Sequence, residues 1–125
     1  MRRSLRHYRV ALTIAAGLWM WRPVRRVVVV GDSMLPTLAP GDRLLVVRVR
    51  RLRPGHLVAV TDPRSAARRA MVKRVAALGA EGVTVLGDNP AASTDSRTLG
   101  PLARPTVRGR AVYRYFPDHR RGLVP

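Results

Sequence analysis

Three short stretches of this chain carry side chains that could do chemistry. The first holds Ser33, in Gly31-Asp32-Ser33-Met34-Leu35-Pro36-Thr37, directly after four consecutive valines at 27–30. Pro36 fixes its own φ and drives Leu35 towards extended geometry, and Pro40-Gly41 suits the centre of a type II turn. The hydroxyl is thus held in a stiffened loop where a buried strand gives way to a turn. Taken alone, a serine in that position is more often a turn residue than a nucleophile.

The second stretch is Ala70-Met71-Val72-Lys73-Arg74-Val75-Ala76. Alternate residues of a strand share a face, which gives Lys73 the apolar neighbours Met71 and Val75 and turns Arg74 the other way. Desolvation disfavours an ammonium and lowers its pKa from about 10.4, the condition for an amine to act as a general base near neutral pH. Read from this segment alone, the commoner case is a lysine whose stem packs while its head reaches water. The third stretch, residues 87–100, runs Gly87-Asp88-Asn89-Pro90-Ala91-Ala92-Ser93-Thr94-Asp95-Ser96-Arg97-Thr98-Leu99-Gly100. It is dense in hydroxyls and acids, and Asp95 with Arg97 could brace it. A loop of this composition is ordinarily a solvated connection.

The elements that must position these groups are short. From residue 27 the sequence consists of β-branched runs at 27–30, 43–49, 56–61, 70–76, 82–86 and 108–115, separated by Pro40-Gly41-Asp42, Pro54-Gly55, Asp62-Pro63, the 79–82 segment and Gly87-Asp88-Asn89-Pro90. Close spacing and the lack of a long helical period after residue 26 predict a mostly β, antiparallel domain. Residues 65–69 suit a single helical turn. Gly-Asp pairs recur at three turns, Gly31-Asp32, Gly41-Asp42 and Gly87-Asp88.

At 125 residues the chain supports one core. It has no cysteine, which excludes a disulfide framework and a thiolate metal site, and His7, His56 and His119 lack ligand spacing, so neither metal nor cofactor is expected. A formal charge of +17, from 24 basic and 7 acidic residues, favours anionic partners such as acidic lipid headgroups. Aromatics are few and the arginines are dispersed, which weakens a nucleic-acid reading and leaves a basic, non-enzymatic nucleic-acid-binding protein as a distant alternative. Lys73 is the only lysine; every other basic residue is arginine, which cannot lose its proton.

Residues 1–26 read as a separate unit. A basic start leads into the apolar run at 10–21, which would rise about 18 Å as a helix against a hydrocarbon core of about 30 Å. Trp19 and Trp21 suit a membrane interface and the flanking arginines can lengthen the span, so the expectation is an N-terminal apolar helix that anchors the chain to a membrane. The alternative is a helix packed on the domain. Four arginines before the run and three closely after it are too even a balance to orient it. The expected division is 1–26 anchor, 27–117 catalytic domain and 118–125 basic tail.

Ser33-Met34-x-Pro36-Thr37, Lys73-Arg74, and Gly87-Asp88-Asn89 followed by Ser93-x-Asp95-Ser96-Arg97 and Gly100 occur in that order. Together they resemble the conserved boxes of the type I signal peptidases, the S26 family of Ser-Lys proteases, over residues 27 to about 115. The resemblance implies an antiparallel, barrel-like β core and an endopeptidase that removes signal or leader peptides from precursors with small residues before the cut. By it, Ser33 is the nucleophile, Lys73 the general base and Ser93 the hydroxyl that orients the amine; Asp95 and Arg97 are a supporting pair and Asp88 a structural acid. Gly31 departs from members that carry a hydroxyl residue there as an oxyanion donor, which leaves the backbone N–H of Ser33 and an unidentified second donor. His56 stands where an acidic residue is common. Only thirteen residues separate Lys73 from Gly87, too few for the cap domain of larger members. Compact S26 proteases that mature nickel-type superoxide dismutase, acting on a cytoplasmic precursor, are the alternative within the family. A related self-cleaving repressor is disfavoured by the lack of a helix-turn-helix pattern.

Overall fold

The computed structural model describes residues 24–125, and the expected anchor at 10–21 lies outside the described residues. Among the described residues seven strands form: β1 (Val24–Val28), β2 (Arg43–Val47), β3 (Leu57–Thr61), β4 (Ala70–Gly79), β5 (Gly82–Leu86), β6 (Val107–Phe116) and β7 (Gly122–Leu123). Every pairing is antiparallel, in the order β1-β2-β6-β3-β4-β5, with β7 added to β6. The ten-residue β6 holds the sheet together. One edge pairs with β2, and the other pairs first with β3, through Val107 to Arg110, and then with β7, at Tyr113 and Arg114.

The sheet is open, which corrects the barrel-like expectation. Closure would need β1 and β5 to pair. The outer edge of β5 is taken instead by the returning chain, where Val83 and Leu102 exchange both backbone hydrogen bonds at 2.8 Å. Residues 65–69 form a hydrogen-bonded turn rather than a helical one.

Alternation along β3 explains how a single sheet supports two apolar clusters. Leu57 and Ala59 pack with Met34, Leu38, Leu44, Val46 and Val72, whereas Val58 and Val60 pack with Val75, Val83, Val85 and Val107. β3 is therefore buried on both faces, and each fully buried Val or Leu contributes roughly 1.5–3 kcal/mol. β1 is different. Its strand begins three residues earlier than the valine run, and while Val27 and Val29 are buried, Val28 and Val30 are 50 % and 83 % exposed. The run is thus one buried and one open face, not a wholly buried strand.

Residues 118–125 are joined to the sheet. β7 pairs with β6, Val124 enters the first cluster, and Arg120 reaches the buried carboxylate of Asp42 at 2.6 Å.

Candidate active site

The serine turn is fastened from below. Met34 and Leu38, both buried, plug it into the core, and the Leu38 N–H donates to the Met34 carbonyl at 3.0 Å. Asp42, also buried, accepts from the Ala39 N–H and from both Arg114 and Arg120, while Arg114 also donates to the Thr37 carbonyl. Ser33 stands half-buried between exposed Asp32 and buried Met34. Among the described residues its backbone N–H has no hydrogen-bond acceptor.

Strand alternation sends the side chains of Lys73 and Arg74 in opposite directions, each to its own part of the 87–100 loop. Lys73 lies opposite Val58 on β3, is 3 % exposed, and its Nζ donates to Ser93 Oγ at 3.1 Å. Arg74 forms a two-pronged pair with Asp88, at 2.9 and 2.8 Å, and Asp88 also accepts from Thr37 Oγ1 at 2.6 Å. Asn89 ties the same loop to the serine turn. Its backbone N–H donates to the Ser33 carbonyl at 2.8 Å and its Nδ2 to the Asp32 carbonyl at 3.1 Å.

Behind Lys73 a polar chain continues inward. Ser93 Oγ donates to Asp95 at 2.6 Å, and the wholly buried Asp95 carboxylate also accepts from the Gly87 N–H and from the Arg97 backbone and guanidinium. The Arg97 guanidinium, foremost, holds the Asp95 carboxyl well below the usual carboxylate range; burial opposes this, and the Gly87 and Ser93 donors reinforce it. Asp95 therefore stays ionised and also caps the one-turn helix Ser96–Leu99. Burial pushes the Lys73 amine below its ordinary value. Asp95 and Asp62 pull it back up, and Arg64 and Arg97 push it down again.

A cleft of about 570 Å³ brings Ser33, Lys73 and Gly31 onto one surface, with Val28, Val30 and Met71 as its apolar wall. Gly31 has φ +76° and open space where a Cβ would stand, so a side chain there is opposed by backbone conformation and not by room. No direct hydrogen bond joins Ser33 and Lys73; the amine is held by Ser93. A buried amine with a lowered pKa sharing a cleft with a half-buried hydroxyl is the combination that general-base activation of a serine requires.

Of the residues singled out in the sequence, Gly31, Ser33 and Lys73 line the cleft, Ser93, Asp95 and Arg97 form the chain behind the lysine, and Asp88 stands apart on Arg74. Sequence reasoning missed Asp42 with its two arginines, and gave Asn89 no role. The recurrent Gly-Asp pair was the available signal, because two of its three aspartates, Asp42 and Asp88, turn out to be turn clamps. Among the described residues no cluster of three His, Cys, Asp or Glu could hold a metal ion, and no helix is long and apolar enough to cross a membrane.

Gly87 is where these parts come closest. A Cβ on it would lie 2.1 Å from Ser93 Oγ and 2.7 Å from the Ser33 carbonyl oxygen. Gly87→Ala is expected to displace both, lowering stability by about 1–3 kcal/mol. Thermal unfolding checks this, and a variant as stable as the unsubstituted chain would refute the close approach.

The signal peptidase, peptidase S26 family model matches residues 1–85, which include Ser33 and Lys73 but stop short of the 87–100 loop. The chain is 34 % identical to the mitochondrial ATP-independent inner membrane protease subunit 1a of Arabidopsis thaliana, over 70 % of this chain and 67 % of the relative. No solved structure matches significantly.

Proposed function

The chain belongs to the signal peptidase family, peptidase S26, and from that premise we propose that it is a Ser-Lys endopeptidase that removes N-terminal leader peptides from precursor proteins. The observation that carries the reading is the buried, lowered-pKa Lys73 held by Ser93 in the cleft that also contains Ser33. Neutral Lys73 takes the Ser33 proton as Oγ attacks the scissile carbonyl, and the resulting ammonium returns it to the leaving amine. An acyl-enzyme remains. Water, deprotonated by the same amine, then attacks the ester, and the ammonium protonates Oγ as Ser33 leaves, restoring the hydroxyl and the neutral amine. The Ser33 N–H, which has no acceptor among the described residues, suits the developing oxyanion. Ser93 and Asp95 act as positioning residues, with Arg97 keeping Asp95 ionised.

The apolar wall of Val28, Val30 and Met71 supports extended precursor segments with small residues before the cut, because β-branched side chains leave only shallow recesses. The apolar run at 10–21, together with a relative in Arabidopsis thaliana that is an inner membrane protease subunit, supports attachment to a membrane.

The test is a pH profile of kcat/KM for a leader peptide. The base must be neutral to act, so a lowered lysine pKa predicts a rate that rises with pH through a single ionisation below 10.5 and then levels. A rate that falls with rising pH between about pH 6 and 9 would count against Lys73 as the base.

A further inference from the structure

One end of the sheet gathers arginines that no carboxylate balances. A pocket of about 500 Å³ opens there, lined by Arg25, Arg48, Arg68 and Arg108 together with Thr61. Antiparallel register is what assembles it. Arg25 lies at the start of β1, Arg48 follows the last residue of β2, Thr61 ends β3 and Arg108 is near the start of β6. The pocket does not contain Ser33 or Lys73, though Arg108 also lines the cleft that does.

The chain has 7 acidic residues, and none of those that form ion pairs does so with an arginine of this pocket: Asp42 pairs with Arg114 and Arg120, Asp88 with Arg74, Asp95 with Arg97, Asp118 with Arg121, and Asp62, which follows Thr61 and lines the neighbouring cleft, is taken by Arg64. The other two, Asp32 and Glu81, lie in the serine turn and the β4–β5 hairpin, and residues 1–23 contain no Asp or Glu. Guanidiniums collected around one cavity repel one another, and an anion among them relieves that repulsion. The lining is also partly fixed in advance. Arg108 Nε donates to Thr61 Oγ1 at 3.0 Å and its Nη2 to the Arg68 carbonyl, while Arg68 is the one described non-glycine residue with a left-handed φ, +55°. That conformation costs an L-residue roughly 1–2 kcal/mol, so the turn that presents Arg68 is held against a local preference.

We propose that this pocket binds the phosphate group of an acidic phospholipid and seats this end of the sheet on an anionic membrane surface. Planar guanidiniums match phosphate oxygens two at a time, and clustered arginines beside an apolar segment are the pattern that reads anionic headgroups. The lipid source follows from where the chain enters. β1 begins at Val24, after the apolar run and Arg22-Pro23, so the arginine pocket lies at the end of the sheet that this run leads into. Among the described residues nothing aromatic lines the pocket, which offers no stacking surface of the kind that single-stranded nucleic acid uses.

The experiment uses the full chain in neutral detergent micelles and follows the arginine Nε–H resonances by NMR. Phosphatidylglycerol, phosphatidylcholine, inorganic phosphate and a deca-glutamate peptide are titrated separately. Phosphatidylglycerol is expected to saturate, phosphatidylcholine to have no effect, and inorganic phosphate to compete only weakly. Arg25→Gln/Arg48→Gln should weaken the apparent Kd by about 30-fold, at about 1 kcal/mol per arginine. Arg43→Gln/Arg121→Gln removes the same charge away from the pocket and should change Kd by no more than about 3-fold. Equal losses in the two double variants would mean diffuse attraction and overturn the site. Inorganic phosphate binding as tightly as the lipid, or tighter binding of the acidic peptide, would overturn the lipid assignment. None of these outcomes depends on peptide cleavage, so the pocket can fail while the protease reading stands.

Discussion

Lys73→Arg is expected to abolish leader-peptide cleavage while the sheet still folds. Arginine keeps the charge and much of the reach of lysine, and the chain has many arginines already, so the overall field hardly changes. What it cannot supply is a neutral amine near pH 7, because its pKa exceeds about 12. Position 73 is buried and faces Val58, so burial favours the neutral form of the native amine and penalises any permanent cation placed there. Loss of a positioned general base costs about 10²–10⁴ in rate. The larger guanidinium could also strain the core, and Lys73→Met, with no charge and a similar volume, serves as the companion. Both variants should lose turnover, with thermal unfolding reporting the fold separately. A folded Lys73→Arg enzyme that retained more than about a tenth of wild-type activity, a barrier change of under about 1.4 kcal/mol, would sink the Ser-Lys assignment.

The second large effect is expected from Ser33→Ala. The side chain is half-buried and among the described residues no hydrogen bond of its hydroxyl braces the turn, whose strength lies in Met34, Leu38 and the Asp42 clamp. Stability should therefore hardly move, while cleavage falls to background, because without the hydroxyl no acyl-enzyme can form. Ser93→Ala provides the contrast. It removes the hydrogen bond that holds the Lys73 amine and one of the donors to buried Asp95, but leaves nucleophile and base present. One such bond is worth roughly 1–3 kcal/mol, so a partial loss in kcat with an altered pH profile is expected. Equal, complete loss in both variants with intact circular dichroism would show that the roles of the two serines are wrongly divided.

Much of this site was legible before any tertiary contact was known. β5 spans the residues expected from the turn signals on either side of it, and β4 starts where its alternation begins, at Ala70. The divergence of Lys73 and Arg74 needed only the two-residue period of a strand, whereas the apolar neighbours at 71 and 75 left open whether the lysine head reaches water, and burial in the folded chain is what lowers its pKa. Such features are local: φ limits at Pro and Gly and side-chain alternation act within a few residues. The family boxes, read in order, carried the rest of the functional reading.

What the sequence could not decide was everything set by which distant segments pair. Whether the sheet closes depended on Leu102 reaching β5, and the burial of β3 on both faces depended on its place between β6 and β4. Residues 118–125 look like a solvated basic tail until Arg120 meets Asp42, 78 positions away, and Val124 meets the core. The same holds for Ser93, which takes the Lys73 amine from 20 positions on, and for the arginine pocket, whose members come from three strands, the residue that follows a fourth, and a turn. A charge in sequence has no sign of partner or of burial. Its chemistry is fixed only when folding decides whether a carboxylate, a hydroxyl or another guanidinium stands beside it.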